Sequence, residues 1–438
     1  MKHERLSVLL RSVGPYPNRR GKEQFRERPG ASVISLKTVG RGASLVRNLR
    51  SRKAFRSIVD KWGTRVDSLG KATVVPREKA SILIVGAGPT GLTAALELAR
   101  GGALPRIIDE KDGPTALSKA VGISAHSLDI LEASGVSRQL LAEGLKVRHA
   151  HFHVEARELL TIDFSLLPHR YNFLLSLPQR DTERIMADTL ATFGIDVEWR
   201  TELVGLTQHA DKVEARISRS GDEERQNLDI VFGADGPESS VRKSSGIEFE
   251  GYTHKRQWSI TDAEIASWPY EPGAAQAFVN RGGDVGFIIP IGDGRFRSVS
   301  NTPDALAQVP GNYRVSKVLR TDRFHIPAKQ ARRYQAGRVF LGGDAAHVHS
   351  PLGARGMNLG IEDAASLARR FGDGTLDGYT DERRPVGHRW IELSERILST
   401  VQSTNIFVQT FRNLAMTTIG RFPVLQKPLI ERVAGLRE

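Results

Sequence analysis

From residue 80 onward the apolar positions fall into short runs that alternate between two periods. Residues 81–88 (SILIVGAG) form a β-rich apolar run ending in glycine, and 89–102 (PTGLTAALELARGG) are strong helix formers closed by glycine. Residues 105–110 (PRIIDE) read as a second buried strand, so the three pieces make a β-α-β unit. Helices are predicted over 124–135, 179–194 and 356–371, and across most of 381–435. Strands are predicted within 147–164, at 195–200, 212–217 and 228–236, through the Gly/Pro-punctuated region 250–330, and at 337–346, where a strand runs into a loop. Strand–helix alternation is thus interrupted by β-rich sequence. The expected fold class is α/β: a Rossmann-like domain split in sequence, an inserted, mostly-β substrate domain and a helical C-terminal tail. The expected boundaries are 80–150 plus 179–245 plus 335–372 for the nucleotide-binding domain, 151–178 plus 246–334 for the inserted domain, and 373–438 for the tail.

Charge changes the picture only at the N-terminus. Residues 1–80 hold 20 Lys+Arg against 6 Asp+Glu, whereas 81–438 hold 43 against 44. The pI near 10.0 therefore comes from one arm, 1–79, expected to be poorly ordered, and not from a nucleic-acid-binding face on a neutral body. Arg-rich, Ser-containing and acid-poor, the arm reads as a transit-like presequence, as a contact with anionic lipid or a partner, as upstream sequence outside the mature protein, or as a tail without chemistry. The body lacks an apolar run of 18 residues, which argues against a transmembrane helix, and the chain has no cysteine for disulfides or thiolate chemistry. The expected location is cytoplasmic, or organellar or peripheral to a membrane if the arm is genuine, and the expected state is a monomer or homodimer.

Three glycine-bearing loops carry the candidate chemistry. In GAGPTG, Gly86, Gly88 and Gly91 have G-x-G-x-x-G spacing, and Pro89 and Thr90 open the following helix. Asp109 ends the next strand 18 residues after Gly91, placed for a ribose hydroxyl pair, with Glu110 beside it. The second loop is FGADGPESSVRK, where Asp235 and Gly236 stand at a strand–turn–helix junction and Arg242 is a candidate phosphate contact. The third, GGDAAHVHSPLGARGMN, puts Gly343 and Asp344 at the end of a strand and Arg355 at the start of a helix. A carboxylate for a hydroxylated chain, followed by a positive helix N-terminus for an electron-rich ring, suits flavin better than nicotinamide. His347 in this loop reads as a structural hydrogen-bonding residue.

In order and spacing, these three stretches resemble the motifs of the FAD-dependent aromatic hydroxylase family, single-component NAD(P)H flavoprotein monooxygenases such as 4-hydroxybenzoate hydroxylase and phenol hydroxylase. The likeness runs from about residue 80 to the C-terminus; 1–79 have no counterpart in it. It implies that Gly86, Gly88, Gly91 and Asp109 bind the ADP half of FAD, and that Asp235 and Gly236 serve FAD and the pyridine nucleotide. It implies further that Asp344 binds the ribityl chain and that Pro351, Gly353, Arg355, Gly356, Met357 and Asn358 surround the isoalloxazine. Gln179, in YNFLLSLPQRDTERIM, is placed near the flavin by the same likeness, and Lys119 stands where the family often has arginine. The implied activity is hydroxylation of a phenolic or polycyclic aromatic compound with NADPH or NADH and O2, through a flavin C4a-hydroperoxide, in an environment shaped by Arg355 and Pro351. The base that would activate a phenol is not identified. Same-fold alternatives are alkene epoxidation and isoprenoid reduction; a non-catalytic, membrane-recruited flavoprotein is a third.

Two other features lie outside these loops. His149, His151 and His153 alternate and share one strand face, but no carboxylate completes a ligand set within the run, so no metal is expected. Trp258, Tyr252, Phe287 and Phe296 are candidates to line the substrate cavity, with core packing as the default.

Overall fold

The computed structural model describes residues 80–115, 120–155 and 157–437, together with five short strands before residue 80. Chain contacts divide it into Met1–Lys79 and Ala80–Glu438. In the first unit, Arg11–Ser12, Ser32–Leu36 and Leu45–Leu49 form an antiparallel sheet, and Thr64–Val66 pairs with Ala72–Val74. Apart from those strands, the expectation of a poorly ordered arm falls outside the described residues.

The second unit is built on two large sheets. The first has the strand order Val197–Trp199, Arg106–Asp109, Ile82–Val85, Ile230–Gly233, Val339–Leu341, Gln335–Ala336. Its first five strands are parallel and the last is antiparallel. Ile82–Val85 and Ile230–Gly233 are buried at every position, as strands covered on both faces must be. The helices are α1 (Pro89–Arg100), α2 (Ala125–Glu132), α3 (Val136–Glu143), α4 (Gln179–Ala191), α5 (Ser240–Ser244), α6 (Gly356–Asp373), α7 (Tyr379–Val401), α8 (Ile406–Arg421) and α9 (Pro423–Val433). Helix α1 packs against α6 and α4, so segments far apart in sequence meet there.

The second sheet has eight strands in the order Arg157–Asp163, His149–Val154, Ala275–Val279, Val285–Gly292, Arg295–Ser300, Phe249–Ala266, Arg314–Ala331, His347–Val348. Only the pairing of His149–Val154 with Ala275–Val279 is parallel. At the far edge, Lys329 and Gln330 pair with Val348 and His347. The third glycine loop is therefore held at its start by the nucleotide-binding sheet and in its middle by the substrate-domain sheet.

The sequence pattern departs from the structure in instructive places. The helix expected over 124–135 is Ala125–Glu132, and the left-handed Gly135 (φ 84°) that follows it turns the chain into α3, a helix the pattern did not predict. Around the expected strand 212–217 lies a three-stranded meander of Thr201–Gln208, Val213–Arg219 and Asp222–Leu228. The last of these begins DEER; its strand conformation comes from pairing, not from apolar alternation.

A buried ion pair within the eight-stranded sheet also reaches the segment before Gly122. Arg297 and Asp262 face each other on neighbouring strands, and both carboxylate oxygens accept guanidinium hydrogens at 2.7 Å. A third donation reaches the Ala120 carbonyl at 3.2 Å, just before the strand Gly122–Ile123. Both side chains are buried, so removing the carboxylate alone strands a cation in low dielectric. Asp262→Ala is expected to cost about 3–5 kcal/mol, measured as a lowered denaturation midpoint, and Asp262→Leu combined with Arg297→Met to recover most of that loss.

Candidate active site

The three glycines of the first loop have different jobs. Gly86 is left-handed (φ 100°), and a Cβ there would overlap the carbonyl oxygen of Ala234 on the adjoining strand end. A Cβ on Gly91 would overlap the Gly86 carbonyl oxygen and press on Ile84. Gly88 is different: its nearest neighbour would be Glu183 Oε1, at 3.9 Å. Protein packing therefore requires two of the glycines, whereas a Cβ on Gly88 would make only an ordinary contact. Gly88 is also the N-cap of α1, and no side chain caps that end. Free N–H groups at such a helix start are donors of the kind that suit an anion. Asp109 is buried beside it: Oδ2 accepts the Ala87 N–H at 2.7 Å and Oδ1 the Lys111 N–H at 2.9 Å. Each oxygen keeps a second lone pair. Glu110 is exposed, in a depression lined by Arg200, Glu202 and Ser218.

The third loop is fastened to the first by a threonine. A Cβ on Gly343 (φ 58°) or on Gly360 of α6 would overlap Thr90 Oγ1. The start of α1 thus touches both the turn carrying Asp344 and the first half of α6. Asp344 is exposed in the 3-10 turn Gly343–Ala345. Farther along, Gly353 (φ 96°) and Ala354 (φ 52°) are consecutive left-handed residues, a strained turn for alanine, and they deliver the chain to α6. Helix α6 also starts without a side-chain cap, and a Cβ on Gly356 would meet nothing within 4 Å. Pro351 and Met357 are half-buried around this turn. Two helix N-termini, each with an unobstructed glycine, therefore stand in one bridged unit.

Two residues expected around the flavin make extensive contacts within the protein. Arg355 is buried; its guanidinium donates to Glu362 at 2.5 Å and lies 5.0 Å from the centre of the Trp390 ring. Arg355, expected to shape the flavin environment, is thus ion-paired with Glu362, while its buried Nε has no hydrogen-bond partner. The amide of Asn358 is saturated: Oδ1 accepts from Ser124 N–H and Ser127 Oγ at 2.8 Å, and Nδ2 donates to the Gly122 and Ala354 carbonyls at 3.0 and 2.7 Å. Only its backbone remains for a ligand. Beneath the loop, Asp363 accepts the Gly343 N–H at 3.0 Å, His347 Nε2 at 2.6 Å and Arg383 Nε at 2.7 Å. Arg383 also reaches Glu362, completing a buried chain from His347 to Arg355. Burial, the largest influence on the Asp363 carboxyl, pushes it up, but its interactions with His347 and Arg383 together outweigh burial and hold it below its usual range.

The second loop is structural in part. Asp235 Oδ2 accepts the Val241 N–H at 3.0 Å, while Oδ1 is buried without a protein partner. Burial raises this carboxyl, opposed by the Ser239 hydroxyl and backbone N–H groups. Gly236 (φ 79°) faces open space. Arg242, considered for phosphate, instead donates to the carbonyls of Ala345 and Pro237 at 3.0 and 2.7 Å and lies 3.9 Å from the centre of the Phe249 ring. It ties the second loop to the third.

Gln179 starts α4 and donates to Glu183 at 2.7 Å, and the other Glu183 oxygen accepts the Thr115 N–H at 2.7 Å. Glu183 is buried, which raises its carboxyl, and its neighbour across the gap is Gly88. The sequence reading missed Glu183; its only signal was the i, i+4 spacing from Gln179. Lys119 lies outside the described residues. Of the aromatic candidates, Trp258 and Phe296 are core, Phe287 packs against that core, and Tyr252 is exposed and bonds Glu395.

These assignments separate stability from binding. Gly91→Ala is expected to cost about 3 kcal/mol or more through overpacking. Gly88→Ala should alter stability by no more than about 1 kcal/mol yet weaken FAD binding at least tenfold, as read by thermal melts and by fluorescence titration of apoprotein. His349 supplies a pH test. Its Nδ1 donates to the Ser350 carbonyl at 2.8 Å, and its buried Nε2 has no partner. Burial, then the nearby His347 and Arg355 charges, lower it from 6.5 to about 4. The unfolded chain takes up this proton below pH 6.5 and the folded chain only near 4, so stability is full above 6.5 and falls across that window. The loss approaches about 3 kcal/mol, and His349→Gln should flatten this part of the stability–pH curve.

Comparison with known proteins agrees with this geometry. The chain matches the FAD binding domain family over residues 79–302 and 298–394. It is 31% identical over 386 residues to 6-methylpretetramide 4-monooxygenase of Streptomyces rimosus, covering 81% of this chain and 68% of that protein. Among solved structures, the anhydrotetracycline hydroxylase of Streptomyces rimosus superposes with a TM-score of 0.68 at 27% identity, over 81% of this chain and 76% of that one. The p-nitrophenol 4-monooxygenase of Pseudomonas putida DLL-E4 shares the fold with a TM-score of 0.74 at 19% identity, over 82% of this chain and 99% of that one. The chain belongs to the FAD-dependent aromatic hydroxylase family and is a flavoprotein monooxygenase.

Proposed function

We propose that the enzyme hydroxylates a phenolic or polycyclic aromatic compound, using NAD(P)H and O2. The observation that carries this reading is the pair of uncapped helix N-termini, at Gly88 and Gly356, bridged by Thr90. Bound FAD supplies hydride acceptance and oxygen activation; the protein supplies position, electrostatics and exclusion of water. The start of α1 and the bare backbone at Gly88 take the diphosphate, and Asp109 takes a ribose hydroxyl through a remaining lone pair. Asp344 accepts from the ribityl hydroxyls. The turn Pro351–Asn358 surrounds the ring, and the start of α6 stabilises negative charge on it.

In this reading Arg355 and Asn358 are positioning residues. Arg355 locks the end of the turn onto Glu362, and Asn358 fixes α6 against Gly122 and Ser124. Asp363 holds the Gly343 turn by a direct hydrogen bond. Relatives named for 6-methylpretetramide, pentachlorophenol and anhydrotetracycline support the aromatic substrate class.

Purified protein is expected to be yellow and to release FAD on denaturation. A panel of phenols and polycyclic aromatics should include compounds that stimulate NAD(P)H oxidation, with matching O2 uptake and a product one oxygen heavier. Stimulated oxidation with no oxygen in the product would overturn hydroxylation, and a colourless protein that cannot be reconstituted would overturn flavin dependence.

A further inference from the structure

On the strand next to the edge of the eight-stranded sheet, the chain assembles a ligand set that no part of the hydroxylase reading uses. His149 and His151 lie two residues apart on one strand, so their rings share a face, with centroids 6.1 Å apart. No acid within that strand joins them, but parallel pairing of Ala150 with Ala275 brings the segment before Ala275 alongside. Glu271, in that segment, bridges the two rings: Oε1 lies 2.9 Å from His149 Nδ1 and Oε2 lies 3.1 Å from His151 Nε2. His153, next along the face, is core; it stacks on Phe278 and bonds Gln276.

We propose that His149 Nδ1, His151 Nε2 and Glu271 bind a zinc-type divalent cation, with water completing a tetrahedral set. The three donor atoms lie within 4.8 Å of one another, and tetrahedral zinc needs separations of roughly 3.3 Å, so small side-chain adjustments suffice. Two imidazoles and a carboxylate are donors that suit zinc, cobalt or nickel, not calcium or magnesium. The far ring nitrogens supply the second observation. His151 Nδ1 lies 3.3 Å from Glu158 Oε2 and 3.0 Å from Thr161 Oγ1, and His149 Nε2 lies 3.7 Å from Asp163 Oδ1. Each ring therefore sits between two carboxylates. A neutral imidazole has one N–H, so it can donate to only one of them and must turn a lone pair toward the other. A cation at the Glu271 corner takes both lone pairs and leaves both N–H groups facing Glu158 and Asp163, the outer arrangement that orients metal-binding histidines. The alternative, both rings protonated, satisfies the same contacts without a metal and predicts no binding. Occupancy would pin the segment around Glu271 to the edge hairpin and over the aromatic cluster of Trp268, Tyr270 and Phe278.

The test uses the full-length, FAD-loaded protein, stripped with chelator and titrated calorimetrically with Zn2+ alone; Co2+ then reports geometry by its visible spectrum. The expected result is one saturable equivalent, a tetrahedral Co2+ spectrum, and at least tenfold weaker binding in Glu271→Gln. His149→Ala with His151→Ala should abolish that equivalent, while both variants keep the wild-type FAD content and melting temperature measured without metal. Absence of a saturable equivalent, or one that survives in both variants, overturns the proposal.

Discussion

The site depends on the hydroxyl of Thr90, which fills the space that side chains on Gly343 and Gly360 would need. This contact sets α1 against α6, and with it the first glycine loop against the third, across more than two hundred residues of intervening chain. Asp363 supports the same junction from below. Its carboxylate binds the Gly343 N–H, while His347 and Arg383 compensate its burial. A buried carboxylate with three hydrogen-bonded partners is stable in position, but removing any one partner exposes the others to the full cost of burial. The loop geometry is therefore cooperative: Gly343, Asp344 and the start of α6 keep their places together.

From that junction follows a division of labour among charges. Buried cations near the third loop are neutralised within the protein, Arg355 by Glu362 and Arg383 by Glu362 and Asp363. Among the described residues, two helix starts without side-chain caps offer backbone N–H groups to an anionic ligand. Backbone donors fixed by helices need little reorganisation when charge develops on a ligand, whereas a mobile side chain does. The strained Gly353–Ala354 turn belongs to this economy of placement, since it brings a helix start to the loop without inserting a bulky side chain.

Much of this was legible in the sequence. The β-α-β unit around Gly86–Gly91 announced itself because strand, turn and helix each have a local pattern, and the third loop did so because its aspartate and its helix start have defined offsets. What stayed hidden was long-range. The separate jobs of Gly86, Gly88 and Gly91 were readable from their places in the motif; the particular neighbour that Gly86 meets, Ala234, was not. The commitment of Arg355 to Glu362, seven residues on in the same helical segment, looked like an available charge when read as a motif. The strand Asp222–Leu228 was unreadable because its residues are charged and its pairing is supplied by neighbours. Glu271 joins His149 only because a parallel pairing spans some 120 residues, so a search within one strand had no means to find it.

The most direct test of the central claim is a crystal structure of the FAD-loaded chain. The account predicts one dinucleotide spanning the bridged unit, its diphosphate against the backbone of Gly88 at the start of α1 and its ring against the backbone at the start of α6, with Arg355 still paired to Glu362. A ring seated away from the start of α6, or an Arg355 side chain released from Glu362 to contact the ring, would contradict it.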